Sequence, residues 1–208
     1  MKFEDLIGKE KIYLYAGHIP SNRPSLTKIP FIGLCPSLND KTHIPHDVTQ
    51  RHDLPDGIVD IYQSEDVFEH IEYSKLVNTI NDIYRILKPG GLFRLSVPDY
   101  RCDVLVQRSS KDAAENIYYD PGGGGSYQNG RVVDGGHVWF PKYETVKSLL
   151  EQTHFKNITF FHYYDPSGRS ICRKIDYSKG YIQRTPDHDR RVQKPARVMS
   201  IVVDCIKD

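Results

Sequence analysis

His137 stands just after the glycine-rich stretch YYDPGGGGSYQNGRVVDGG. An imidazole there can take a proton from a reacting group or donate a hydrogen bond, because histidine titrates near neutral pH. Asp99 and Tyr100 close the run LFRLSVPDY, which delivers a carboxylate and a phenol at the end of an apolar segment. If the reaction requires a proton acceptor, His137 or Asp99 is expected to fill that role. His188 and Arg190 belong to RTPDHDRR, which reads either as a grip on phosphate or carboxylate oxygens or as a solvated loop with internal ion pairs. Glu69 and His70, adjacent in VFEHIEY, read first as helix-start and packing residues. The four cysteines, Cys35, Cys102, Cys172 and Cys205, lie far apart without a CxxC pair, which argues against a zinc site or a disulfide framework.

The elements that must position these groups are legible from periodicity. KIYLYAG and IPFIGLC read as two buried strands, with a short third strand at His46 to Val48 and a fourth at Ile58 to Tyr62. Pro20, Pro24 and Pro30 exclude a long helix between the first two. From Tyr73 to Leu87, Leu76, Val77, Ile80, Ile83, Tyr84 and Leu87 recur at helical spacing, so this segment is a one-sided helix. Lys88 suits its negative end, Pro89 stops it, and Gly90 or Gly91 takes a left-handed turn into a fifth strand, LFRLSV. A helix handing over to an apolar strand within three residues is the second half of a βαβ unit. Tyr118 to Gly136 reads as a long mobile loop suited to act as a lid. A further helix, KYETVKSLLEQT, precedes two last strands, NITFFHYY and VMSIVVDCI, with residues 165–197 as an insertion between antiparallel edge strands.

The expected fold is therefore α/β: a Rossmann-like, mostly parallel seven-stranded sheet with an antiparallel last strand pair and helices on both faces. At 208 residues with 38% apolar side chains, one domain spanning 1–208 is expected. In such sheets ligands bind beyond the strands' C-terminal ends. Twenty-eight Lys and Arg against 27 Asp and Glu give a net charge of +1, so no nucleic-acid partner and no anionic membrane is expected. The chain shows neither a membrane-spanning run nor the apolar core of a signal peptide, which predicts a cytoplasmic protein.

LPDGIVDIYQSEDVFEHI, the helix, and RILKPGGLFRLSVPD together resemble the central part of the class I S-adenosylmethionine-dependent methyltransferases, in the compact subgroup with an abbreviated first motif. GHVWFPKYETVKSLLEQTHFKNI is similar, more loosely, to the segment that leads into the family's sixth strand. The resemblance implies S-adenosylmethionine as cofactor and methyl transfer to an oxygen or nitrogen of a small-molecule or saccharide acceptor. It places the cofactor against Tyr15, Ala16, Gly17, Cys35, Asp47, Val48, Gln63 and Ser64; the acceptor is expected near Tyr100, at a strand's C-terminal end, and near His188 and Arg190 of the arginine-rich stretch. Only Gly17 survives of the family's glycine-rich turn, and Cys35 stands where an acid would hold the ribose hydroxyls, so Asp40 or another group must substitute. A fold that has lost the cofactor and serves as a binding or scaffold protein is the alternative.

Overall fold

The computed structural model describes residues 1–19 and 29–208, so Pro20 and Pro24 of the proline-spaced gap lie outside the described residues. The chain opens with a 3-10 turn and forms β1 (Tyr13–Ala16), β2 (Ile32–Leu34), β3 (His43–Ile44) and β4 (Val59–Glu65). A 3-10 turn, Phe68–His70, leads into α1 (Tyr73–Ile86), β5 (Leu87–Pro98) and a short α2 (Asp103–Arg108). Four small strands follow, β6 (Ser110–Lys111), β7 (Ile117–Tyr119), β8 (Ser126–Gln128) and β9 (Arg131–Val133). The chain ends with α3 (Tyr143–Glu151), β10 (Asn157–Tyr164), β11 (Ser170–Cys172) and β12 (Ser200–Ile206).

Eight strands form the main sheet, ordered β11-β10-β12-β5-β4-β1-β2-β3. Strands β3, β2, β1, β4 and β5 run parallel, and β12 is antiparallel to both its neighbours, β5 and β10. The expected class holds with one strand more, because part of the 165–197 insertion folds back as β11 on the edge of β10. β12 lies inside the sheet and is not an edge strand. The third strand sits at His43–Ile44 and not at His46 to Val48, since Asp47 closes a turn by accepting from the Thr49 amide and hydroxyl.

Alternation along β5 decides what each face meets. Phe93, Leu95 and Val97 join one core with Leu76, Ile80, Ile83 and Ile86 of α1 and Val146, Leu149 and Leu150 of α3. The residue between them, Arg94, points to the opposite face, where it is fully buried and bonds the carbonyls of Asp176 (2.9 Å) and Gly180 (2.8 Å). Helices on both faces were expected; among the described residues the second face is covered instead by irregular chain from the insertion. Ile175 and Ile182 pack there on Val202, and two 3-10 turns capped by Asp176 and Asp189 replace helices.

The glycine-rich stretch is also more ordered than a mobile loop. Its centre is a β8–β9 hairpin turning at Asn129 and Gly130, both with positive φ (49° and 78°), the twist that two-residue hairpins favour.

Candidate functional site

The parallel strands β1, β2 and β4 end on one rim. Tyr15 is in register with Gly33 and Gln63, and Ala16 with Leu34 and Ser64. Gly17 follows with φ of 89° and donates its amide to the Leu34 carbonyl (2.8 Å). The turn after it is held by a relay. Asp40 accepts from the Thr42 amide (2.7 Å) and bonds His43 Nδ1 (3.0 Å), and Nε2 of the buried His43 accepts the Ile19 amide (3.1 Å). The Thr42 amide and His43 hold the Asp40 carboxyl well below the usual carboxylate range. Asp40 is thus committed to shaping the turn rather than substituting for an acid at Cys35.

Cys35 is partly exposed at the end of β2, its thiol 3.4 Å from the Ser37 hydroxyl. Asp47 is exposed; partial burial acts to raise its carboxyl, but the Thr49 bonds win and lower it. Val48 belongs to the core. Gln63 is buried beneath the insertion, donating to the Tyr181 carbonyl (2.6 Å), while its Oε1 and the Ser64 hydroxyl have no hydrogen-bond partner. The rim therefore brings Tyr15, Ala16, Gly17, Cys35, Gln63 and Ser64 together, and leaves Asp47 and Val48 in the turn after β3.

A second group gathers beyond β4 and β5. Residues 135–139 are stitched to the Phe68–His70 turn by three bonds: His70 Nδ1 to the Gly135 carbonyl (2.8 Å), the Val138 amide to the Glu69 carbonyl (2.9 Å) and Trp139 Nε1 to the Phe68 carbonyl (2.9 Å). This seam sets His137 Nε2 3.6 Å from Glu69 Oε1. Behind it, Arg108 clamps Asp120 (2.8 and 2.7 Å), Asp120 accepts the Tyr100 hydroxyl (2.6 Å), and that hydroxyl meets His137 Nδ1. Gly123 packs so close that a Cβ there would stand 2.6 Å from the His137 ring, so the glycine run is a fitted cover. Burial, with the neighbouring His70, pushes the His137 imidazole down to about 3, which keeps it neutral. Burial also pushes the Glu69 carboxyl well above the usual range, Asp66 adding to the effect.

Asp99 does not face this group. Its oxygens accept the amides of Arg101 (3.0 Å) and Tyr164 (2.7 Å), so it ties the end of β5 to the end of β10, and burial raises its carboxyl to about 6. His188 bonds the Ile182 carbonyl (2.8 Å) within its own loop and packs between Tyr177 and Tyr181, while Arg190 is exposed. Arg184 pairs with Asp66 (2.9 Å) and Arg191 with Asp189 (2.5 Å), so two arginines of RTPDHDRR make internal pairs. Sequence reasoning passed over Asp120, and read Glu69 and His70 as structural. Their adjacency just past a strand's C-terminal end was the available signal.

A strand order of 3-2-1-4-5 with an antiparallel strand inserted beside the fifth, and polar groups along the parallel strands' C-terminal rim, define a Rossmann-like fold. The sequence matches the methyltransferase domain family over residues 18–159, more than half of the chain, and the protein belongs to that family. Among solved structures it is similar to S-adenosylmethionine-dependent methyltransferases from Clostridium acetobutylicum (12% identity, 94% of this chain and 83% of that one, TM-score 0.57) and Archaeoglobus fulgidus (15%, 95% and 86%, 0.53). A third, from Methanosarcina mazei, shares 13% identity over 96% and 93% of the two chains, with a TM-score of 0.53. At these identities the likeness is one of fold. No curated protein matches the sequence.

The chain is thus a methyltransferase using S-adenosylmethionine, which supplies an activated methyl group when bound. The rim suits that cofactor: a left-handed glycine ends β1, and at the end of β4 the buried Ser64 hydroxyl is unpartnered, whereas Gly180 of the insertion covers Gln63. Of the described residues, Tyr15, Gly17, Cys35 and Ser64 would hold it. Among the described residues, no helix is long and apolar enough to cross a membrane.

Proposed function

We propose that the acceptor is a polar small molecule, best a saccharide, methylated on a hydroxyl or amine that reaches the Glu69–His137 group. The observation that carries this reading is a cavity of about 380 Å³ walled in part by Tyr100, the residue bonded to His137. Lys111, Glu115, Asn116 and Lys142 offer it several donors and acceptors, and Phe140 and Ile117 an apolar wall, the mixture that suits a ring carrying many hydroxyls. The exposed rings of Tyr118 and Tyr127, 4.7 Å apart, add aromatic surface of the kind sugar faces stack on.

Methyl transfer from a sulfonium is an in-line displacement, so alignment does much of the work. On this reading His137, neutral and fixed by Tyr100, lines the place where the acceptor's reacting group sits, and the Gly123 cover keeps water away. Arg190, exposed, is proposed as a contact for an anionic group on the acceptor, and Asp99 as a positioning residue. The test is transfer of radiolabelled methyl from S-adenosylmethionine to a panel of saccharides, amines, phenols and RNA. Label on saccharides, with a raised KM in Lys142→Ala, supports the proposal; label confined to phenols or RNA overturns it.

A further inference from the structure

The Nε2 atoms of the buried His137 and the partly exposed His70 lie close to the buried Glu69 carboxyl group, and hydrogen-bond logic says which ring nitrogens are left to bind a ligand. Arg108 forks onto Asp120 and the Gly122 amide donates to it, so both Asp120 oxygens act as hydrogen-bond acceptors. The Tyr100 proton must therefore go to Asp120, and the hydroxyl can only accept from His137 Nδ1. His137 is thereby the Nδ1–H tautomer with its lone pair on Nε2. At His70 the Gly135 carbonyl takes Nδ1–H, so Nε2 is the ring nitrogen left to act as a ligand.

Both Nε2 atoms lie near Glu69 Oε1, at 3.6 Å for His137 and 3.9 Å for His70, and one ligand atom from each of the three residues falls within 4.8 Å of the others. Glu69 is 0% exposed and neither of its oxygens has a hydrogen-bond partner. These separations are too long for hydrogen bonds. They approach the ligand-to-ligand edge of about 3.4 Å that a tetrahedral cation with bonds of about 2.1 Å requires. A buried carboxylate is ordinarily paired or bound to a metal. Around the cluster, among the described residues, the carboxyl groups Glu65, Asp66 and Asp120 outnumber the guanidinium groups Arg108 and Arg184.

We propose that Glu69, His70 and His137 form a binding site for one divalent transition-metal cation. Two imidazoles and one carboxylate select zinc, cobalt, iron or manganese over magnesium, which prefers oxygen ligands. Each histidine has the second partner that metal-bound histidines carry, a carbonyl for His70 and the Tyr100–Asp120 pair for His137. Three protein ligands leave the cation open positions, as catalytic sites do. His70, whose side chain is 31% exposed, marks the side on which they open and makes the small adjustment that closes the site. Given methyl transfer as the reaction, on which this step rests, those positions take the acceptor's oxygen or nitrogen and hold it toward the rim.

The experiment titrates chelator-treated full-length protein, without S-adenosylmethionine, with Co²⁺ in a visible spectrometer and with Zn²⁺ in a calorimeter. One cation per chain, d–d absorption of a nitrogen- and oxygen-ligated centre, and at least about 100-fold weaker binding in His70→Ala and Glu69→Gln are expected, given that even outer partners are worth 10- to 100-fold. Tyr100→Phe removes only an outer partner and weakens binding by about 10- to 100-fold. His70 lies at the surface, so its variant retains the fold, which circular dichroism checks. No cation bound, or binding that all three variants leave unchanged, overturns the site. Because the titration needs neither cofactor nor acceptor, its failure is distinguishable from failure of the methyl-transfer reading.

Discussion

Replacing Asp204 with alanine tests whether the insertion truly seals the second face of the sheet. Arg94 is 0% exposed and forks onto Asp204 with bonds of 2.7 and 2.8 Å, while its Nη1 holds the carbonyls of Asp176 and Gly180. Asp204→Ala leaves this guanidinium buried with two donors unpaired, and breaking a buried pair in this way costs about 3–5 kcal/mol. For a chain of this size that corresponds to a melting temperature lowered by about 6–20 °C. Urea or thermal unfolding reads the loss directly. The double variant Arg94→Met, Asp204→Leu removes both charges and recovers part of the stability, but it frees the Asp176 and Gly180 carbonyls, so trypsin should cut residues 173–192 faster than in the parent. A loss below about 1 kcal/mol in Asp204→Ala, the magnitude of a solvated surface pair, would refute the claim that this segment closes the face.

Two further outcomes follow from the same geometry. Burial lifts the Asp99 carboxyl to about 6, so its contribution to stability is full below the unfolded value near 4 and is lost as pH rises through 6. The stability difference between the parent and Asp99→Asn should shift against the parent by about 3 kcal/mol between pH 4 and pH 7.5, and a pH-independent difference would contradict it. At Gly33, an added Cβ would meet the His43 ring and stand 2.9 Å from the Gly17 carbonyl oxygen, so Gly33→Ala should cost about 1–3 kcal/mol and weaken S-adenosylmethionine binding by disturbing the turn after β1. Unchanged affinity in that variant would separate the relay from the cofactor.

Elements set by local chemistry were readable beforehand. The one-sided spacing of Leu76, Ile80 and Ile83 marks α1, and the apolar runs mark β1, β2, β5, β10 and β12. What escaped depends on long-range contacts. Nothing local tells that Arg94 points into the insertion 82 residues away, or that Gln63 donates to Tyr181, so an uncapped polar stretch reads as a solvent excursion when it is a cover. The Asn129–Gly130 turn was visible, and the surrounding glycines masked it. At the site, His137 and Tyr100 were legible as chemistry after an apolar strand and a glycine run. The partnership of Glu69, His70 and Asp120 required the seam between residues 135–139 and the Phe68–His70 turn, and no spacing encodes that seam.

The measurement that bears most directly on the whole account is calorimetric titration of the purified chain with S-adenosylmethionine, repeated with Gly17→Val. One cofactor bound per chain at micromolar concentration, lost in that variant, is the predicted result. No heat at millimolar cofactor from a folded parent chain would contradict the assignment of the β1–β2–β4 rim as a methyl-donor site.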